Sequence, residues 1–233
     1  MTGTQQTGQP LGAAVDATPD DRPGPVTLVG RYGRVEKLRA DHADSLWNAV
    51  QGHDTIWTYM SQYGPFFGAE EFSKWVPQRT TLLDPYSYAV VDNHDRCLGI
   101  ATLMEIRPAM RVIEVGHIVY SPALQRTPLG TEAQYLLARY VFETLRYRRY
   151  EWKCNTLNAA SRRAALRYGF AFEGILRQHM IAKGRNRDTA YFAMLDGEWP
   201  TRRTNFERWL SPDNFAADGR QKSSLSAMNG ITA

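Results

Sequence analysis

The sequence predicts one α/β (α+β) domain in which helices pack on a single mixed sheet. Short runs of period-two apolar alternation come first as a meander and later alternate with stretches of helical period. A composition 43% hydrophobic and 22% charged gives a core ample for one globular unit. The chain has no internal repeat, no G-x-G-x-x-G and no phosphate-loop lysine motif, which argues against dinucleotide or nucleoside-triphosphate chemistry.

Both ends are expected to lie outside that domain. Pro, Gly, Thr, Gln and Asp crowd residues 1–25, and Ser, Asn, Asp and Gly crowd 211–233. Such compositions bury too little to fold, so 1–25 reads as a disordered N-terminal tail, 26–210 as the domain and 211–233 as a flexible C-terminal tail. The start lacks the basic-then-apolar layout of a signal peptide, and no apolar run approaches the ~18 residues of a membrane helix. Cys97 and Cys154 lack metal-type and redox-type spacing, which points to buried thiols in a reducing cytoplasm, with no metal and no membrane partner. The net charge of +4 is uneven, with twelve Lys and Arg against three Glu between Arg139 and Arg187. That excess is too modest for a dedicated nucleic-acid binder but useful toward a phosphorylated ligand.

In chain order, 26–39 alternates weakly around Gly30 and Gly33 and predicts a strand with a kink or bulge. Ala40-Asp41 opens a helix through Val50, with Asp41 as its cap. The segment 54–67, DTIWTYMSQYGPFF, is dense in rings; most read as core, and a few as pocket wall. Residues 68–82 are helical, with Pro77 a kink or early end. Strands over 86–91 and 97–106 form a hairpin around Asp92-Asn93-His94-Asp95, and 113–120 is the next strand. Beyond the loop that follows, Ala133, Leu136, Leu137, Tyr140, Val141 and Leu145 recur at helical spacing, with Thr131 to Gln134 fitting a capping box. A strand at 150–155, a helix at 158–168 capped by Asn158 and ended by Gly169, strands at 170–176 and 189–195, and a last short helix after Trp199-Pro200 complete the set.

The stretch EVGHIVYSPALQRTPLG, 114–130, organises the rest: a strand, a tight loop and a capped helix aim backbone N–H groups and a positive dipole end at an anion. An ordinary corner without a ligand is the plainer alternative.

These residues resemble a known family. Gln125-Arg126-Thr127-Pro128-Leu129-Gly130 at a helix start, Asn158-Ala159-Ala160-Ser161 opening the next helix, and Gly169-Phe170-Ala171-Phe172-Glu173-Gly174 at its end are similar in order and separation to the GNAT superfamily of acyl-CoA-dependent N-acetyltransferases. Their wording is closest to the ribosomal-protein N-acetyltransferase-like (RimJ/RimL-like) branch, and the likeness covers roughly 26–200. The resemblance implies a mostly antiparallel central sheet with helices on both faces. It also implies acetyl-CoA as cosubstrate and an acceptor that is a small-molecule amine or a peptide N-terminus.

Carried over by position, N–H groups from Arg126, Thr127, Leu129, Gly130 and Thr131, together with Gln125, would hold the pyrophosphate. Pro128 stands at the family's middle glycine and removes one donor. Arg162, Arg163 or Arg126 would meet phosphates; the alternative for each is a solvated face. The strand around Ile118 and Tyr120 would support the pantetheine arm, beside Asn158 and Ser161. Glu114 is the candidate base, with a raised pKa on an apolar strand; a buried ion-pair partner is its alternative reading. His117 and His179 compete with it. Ser161 would donate to the departing thiolate or fix the arm, because the family's tyrosine position is Ala165 here. Trp57, Tyr59, Tyr63 and Phe66 would wall the acceptor pocket. A non-catalytic module on the same fold, sensing CoA or binding RNA, is the alternative function. Tyr147, Tyr150 and Trp152 alternate as core residues do, which argues against RNA. A homodimer is left open.

Overall fold

The computed structural model describes residues 8–16, 18 and 20–231. Eight strands form one sheet: β1 (Thr27–Val29), β2 (Gly33–Lys37), β3 (Tyr86–Asp92), β4 (Cys97–Arg107), β5 (Val112–Tyr120), β6 (Arg149–Asn155), β7 (Ala171–Ala182) and β8 (Arg185–Leu195). Their order is β1-β2-β3-β4-β5-β6-β8-β7, and every neighbouring pair is antiparallel except β5 with β6. Helices α1 (Ala43–Val50) and α2 (Ala69–Thr80) cover one face. On the other lie α3 (Pro128–Arg139), α4 (Ala159–Arg167), α5 (Trp199–Leu210) and the short α6 (Leu225–Met228).

Strand alternation divides the core in two. Tyr88 and Val90 of β3 join Leu103, Ile113, Leu136, Val141, Tyr150 and Phe206 on the α3 side. Their neighbours Ala89 and Val91 join Leu46, Phe72, Val76 and Val119 on the α1–α2 side. The mixed, mostly antiparallel sheet with helices on both faces is as the sequence predicts. Tyr147, Tyr150 and Trp152 are buried in the α3-side core, and Cys97 and Cys154 are buried and unpaired.

Several elements differ from expectation. The kinked strand over 26–39 is a hairpin whose turn is Gly30 to Gly33. There the Glu132 carboxylate accepts from the Arg31 and Tyr32 N–H groups at 2.6 and 2.8 Å. A Cβ on Gly30 would sit 2.3 Å from that carboxylate. The first helix starts with a 3-10 turn, Ala40–His42, that takes in Asp41, and α2 runs through Pro77 instead of ending there. Strands β7 and β8 make one long hairpin around Lys183-Gly184, because the polar residues 185–188 belong to β8 and extend the ladder.

The largest difference is at the C-terminus, expected to be a flexible tail over 211–233. Residues 211–231 fold back onto the domain: Leu225 is 0% exposed within the α3-side core. Asn205 Nδ2 donates to Met228 O and Asn229 Oδ1 at 2.8 and 2.9 Å, and Asn229 Nδ2 donates to Arg167 O. One buried leucine and a few bonded asparagines anchor a stretch whose average composition reads as solvated. At the other end, part of the expected tail (1–7, 17 and 19) lies outside the described residues. Gly24, also expected in that tail, accepts from Tyr88 Oη and donates to Tyr140 Oη, both at 3.0 Å.

Candidate active site

Strands β5 and β6 pair only from Val112–Val115 to Arg149–Trp152 and then part. Beyond that point β5 also slips against β4, between Ile100 and Thr102, where His117 takes a left-handed φ of 46°. The edge of β5 from Gly116 onward, including Ile118 and Tyr120, therefore faces a gap and not a neighbouring strand.

At the far end of the gap α3 begins. Its N-cap is Thr127, four residues earlier than the capping box at Thr131 predicts: Thr127 Oγ1 accepts from Gly130 N–H at 3.1 Å, with Pro128 at the first helical position. Proline is favoured there because its φ suits the helix and that N–H would have no partner within it. Thr131 N–H is spent on Thr127 O, and Arg167 donates to the Thr131 hydroxyl at 3.1 Å. Gln134, the expected far half of the box, donates to Tyr120 Oη at 2.8 Å. Among the described residues, the N–H groups of Arg126, Thr127 and Leu129 meet no protein acceptor. Gln125 turns back to donate to Tyr120 O at 2.9 Å. The corner thus presents three N–H groups at a positive helix end.

Asn158 caps α4 as predicted, accepting from Ser161 N–H at 3.0 Å. Ser161 Oγ accepts from the Trp152 indole at 3.0 Å, on the α3 side of β6.

On the α1–α2 side, Glu114 is buried and its Oε2 lies 2.9 Å from Lys153 Nζ. Burial pushes the Glu114 carboxyl up to about 7, against the pull of that ammonium. Lys153 also lies 4.8 Å from the centroid of the Tyr191 ring. The Tyr191 hydroxyl is 3.5 Å from His179 Nε2, while His179 Nδ1 pairs with Thr189 Oγ1 at 3.0 Å. His117 is different: its Nδ1 takes a hydrogen bond from Arg79 Nη2 at 3.2 Å. Burial, then the Arg79 and Arg187 cations, hold it down to about 4. His117 is thus neutral near pH 7, with one lone pair already spent.

The aromatic segment closes over this face. Tyr63 packs edge-on against His117, with ring centroids 5.4 Å apart. Tyr59 Oη donates to Leu157 O at 3.0 Å, and Lys183 Nζ donates to Trp57 O and Gly64 O at 3.0 and 2.6 Å. The segment is so strapped to the β6–α4 loop on one side and to the β7–β8 turn on the other. Trp57 itself is 2% exposed and packs against Phe66, Phe72 and Trp75 in the core under α1 and α2. Phe66 sits in the same ring cluster.

The structure therefore brings Glu114, His117 and Tyr63 to one face and sets Ser161 on the other, with the strand gap between them. Sequence reasoning missed Arg79, Lys153, Tyr191 and Arg187. For Arg79 a signal existed, because it continues the apolar stripe Phe72, Trp75, Val76 of α2, where a cation is out of place. For Lys153 there was none, since the β5–β6 register is not local. A groove of about 770 Å³ between α1 and the loop after β5, lined by Ser45, Asn48, His53, Arg96, Leu98 and Pro122, takes in none of the predicted residues. No group of metal-ligating side chains occurs among the described residues.

The sheet thus parts beside the start of α3, with the buried Glu114 carboxyl next to the parting. The chain belongs to the acetyltransferase (GNAT) domain family, whose pattern matches residues 34–171. It is 26% identical over 159 residues, 66% of this chain and 88% of the other, to the ribosomal-protein-serine acetyltransferase of Escherichia coli strain K12. It superposes with a TM-score of 0.88 and 43% identity on a GCN5-related N-acetyltransferase from Brucella melitensis, covering 91% of this chain and 98% of that one. The fold is shared with the ribosomal-protein-S5-alanine acetyltransferase of Vibrio fischeri at 17% identity and a TM-score of 0.61, over 75% and 98% of the two chains. The family is the one the sequence motifs resemble.

Proposed function

We propose that this acetyltransferase moves an acetyl group from acetyl-CoA to a primary amine, a protein N-terminus or small-molecule amine, by direct attack in a ternary complex. The observation that carries the reading is the Glu114 carboxyl, pushed up to about 7 where β5 and β6 part. The site suits the cosubstrate: N–H groups of Arg126, Thr127 and Leu129 point from a helix start, where a diphosphate is held. The unpaired edge of β5 offers main-chain partners to an amide-bearing arm. Acetyl-CoA, when bound, supplies an activated thioester.

The residues then divide the proton work. Glu114, as carboxylate, takes a proton from the acceptor ammonium, directly or through water, and Lys153 steadies its charge. Ser161, whose Oγ already accepts from Trp152, has its own proton to give to the departing sulfur. His117 serves as a neutral wall and not as the base, because a group held down to about 4 accepts a proton poorly at pH 7. Cys97 and Cys154 are both buried with thiols pushed up by burial, which suits direct attack over an acyl-cysteine relay and fits a reducing cytoplasm.

Release of free thiol from acetyl-CoA across a panel of amines and N-terminal peptides tests the reading. Turnover with intersecting initial-velocity lines is expected. No turnover with any amine, while CoA still stabilises the fold, would replace it with a cofactor-sensing module.

A further inference from the structure

Arg79 stands in the last turn of α2, 9% exposed, on the stripe that packs against the sheet. Its Nη2 donates to His117 Nδ1, and its guanidinium lies 5.4 Å from the Tyr63 ring centroid. A guanidinium has five N–H donors. Among the described residues no other acceptor meets Arg79, and no carboxylate lies within ion-pair distance of it. Glu114, on the same face, is already taken by Lys153.

A second guanidinium, Arg187, lies on β8; its Nε donates at 3.3 Å to Thr189 Oγ1, the hydroxyl that pairs with His179, and among the described residues it meets no carboxylate. The groups around His117 are thus Arg79, Arg187, Tyr63 and, next along the face, the Glu114–Lys153 pair. That lining keeps two cations that the fold does not neutralise. Burying a guanidinium without a counter-charge is costly, and a site that retains one is arranged for an anion that arrives with the substrate. The spacing of forked N–H donors matches a carboxylate.

We infer that the acceptor amine also bears a carboxylate, which Arg79 receives beside Tyr63 while the amine faces Glu114. The inference rests on the acetyl-transfer reading and names the class of acceptor for it. Neither cationic polyamines nor simple alkylamines would be favoured.

The test measures binding apart from turnover. The full-length protein, saturated with CoA, is titrated with 3-phenylpropionate and with uncharged 3-phenylpropanamide, followed by calorimetry. The carboxylate is expected to bind about tenfold or more tightly than the amide, as hydrogen bonds to a charged group warrant. Arg79→Gln brings the two to parity and Arg79→Lys restores part of the difference. Should Arg79→Gln fail to fold, the wild-type preference and its weakening in Arg187→Gln decide the matter. Equal binding by the wild type, no binding of either probe, or a preference that survives Arg79→Gln overturns the inference.

Thiol release with phenylalanine and phenylalaninamide as acceptors separates the two proposals. If the amide is acetylated as well as the acid, acetyl transfer stands and the carboxylate site falls. If no amine of the panel is acetylated while Arg79 still binds the carboxylate, the reverse holds.

Discussion

At Glu114, burial and the ion pair with Lys153 pull in opposite directions, and burial wins, leaving the carboxyl titrating at about 7. Only the deprotonated form accepts a proton, so kcat/KM should fall as pH drops below about 7. Glu114→Gln should lower kcat/KM roughly 10²- to 10⁴-fold and abolish that acid limb, as a pH series of thiol release would show. An unchanged limb would move the role to His179. The same shift has a sign for stability. The fold holds a proton that the unfolded chain releases near 4.5, so the contribution of Glu114 is complete below that pH and is lost as pH climbs through about 7. Much of this residue-level chemistry was legible in the sequence: a lone carboxylate in an apolar strand announces burial. Lys153 was not, because it stands opposite Glu114 only through a strand pairing between distant segments.

Among the elements, the start of α3 shows how a local rule can be right about type and wrong about place. Thr131 and Gln134 satisfy the capping pattern, yet Thr127 caps, because Pro128 behind it is the better first helical residue. The proline that reads as damage to the cradle is thus part of its construction. Thr127→Ala should cost about 1 kcal/mol of stability, read as a fall of a few degrees in Tm, and should raise the KM for acetyl-CoA as the corner loosens. A drop in Tm with KM unmoved would detach the corner from cofactor binding. The long β7–β8 hairpin was foreshortened for the opposite reason: its turn-proximal residues, 183–188, are polar because both faces meet solvent there, and polarity reads as loop.

For the whole molecule, a single mixed sheet with helices packed on it followed from alternation and helical period, whereas the fate of 211–231 did not. Its packing rests on Leu225 and on side-chain bonds from Asn205, Asn214 and Asn229, and average composition does not weigh single residues. Leu225→Ala should cost about 2–5 kcal/mol and lower the calorimetric Tm by several degrees, with the same loss on truncation after Leu210. An unchanged Tm in both would mean the segment contributes nothing to the fold.

The strap across the candidate catalytic face is fastened at two points through its main-chain oxygens and at a third through one of its own side chains, Tyr59. Lys183 grips main-chain oxygens at Trp57 and Gly64, and Tyr59 grips the main chain at Leu157. Residues between those fastenings, Tyr63 among them, are free to change without unclasping the cover. Selection can thereby retune which acceptor fits while the machinery beneath stays shut, so descendants of this scaffold can diverge in diet faster than in architecture.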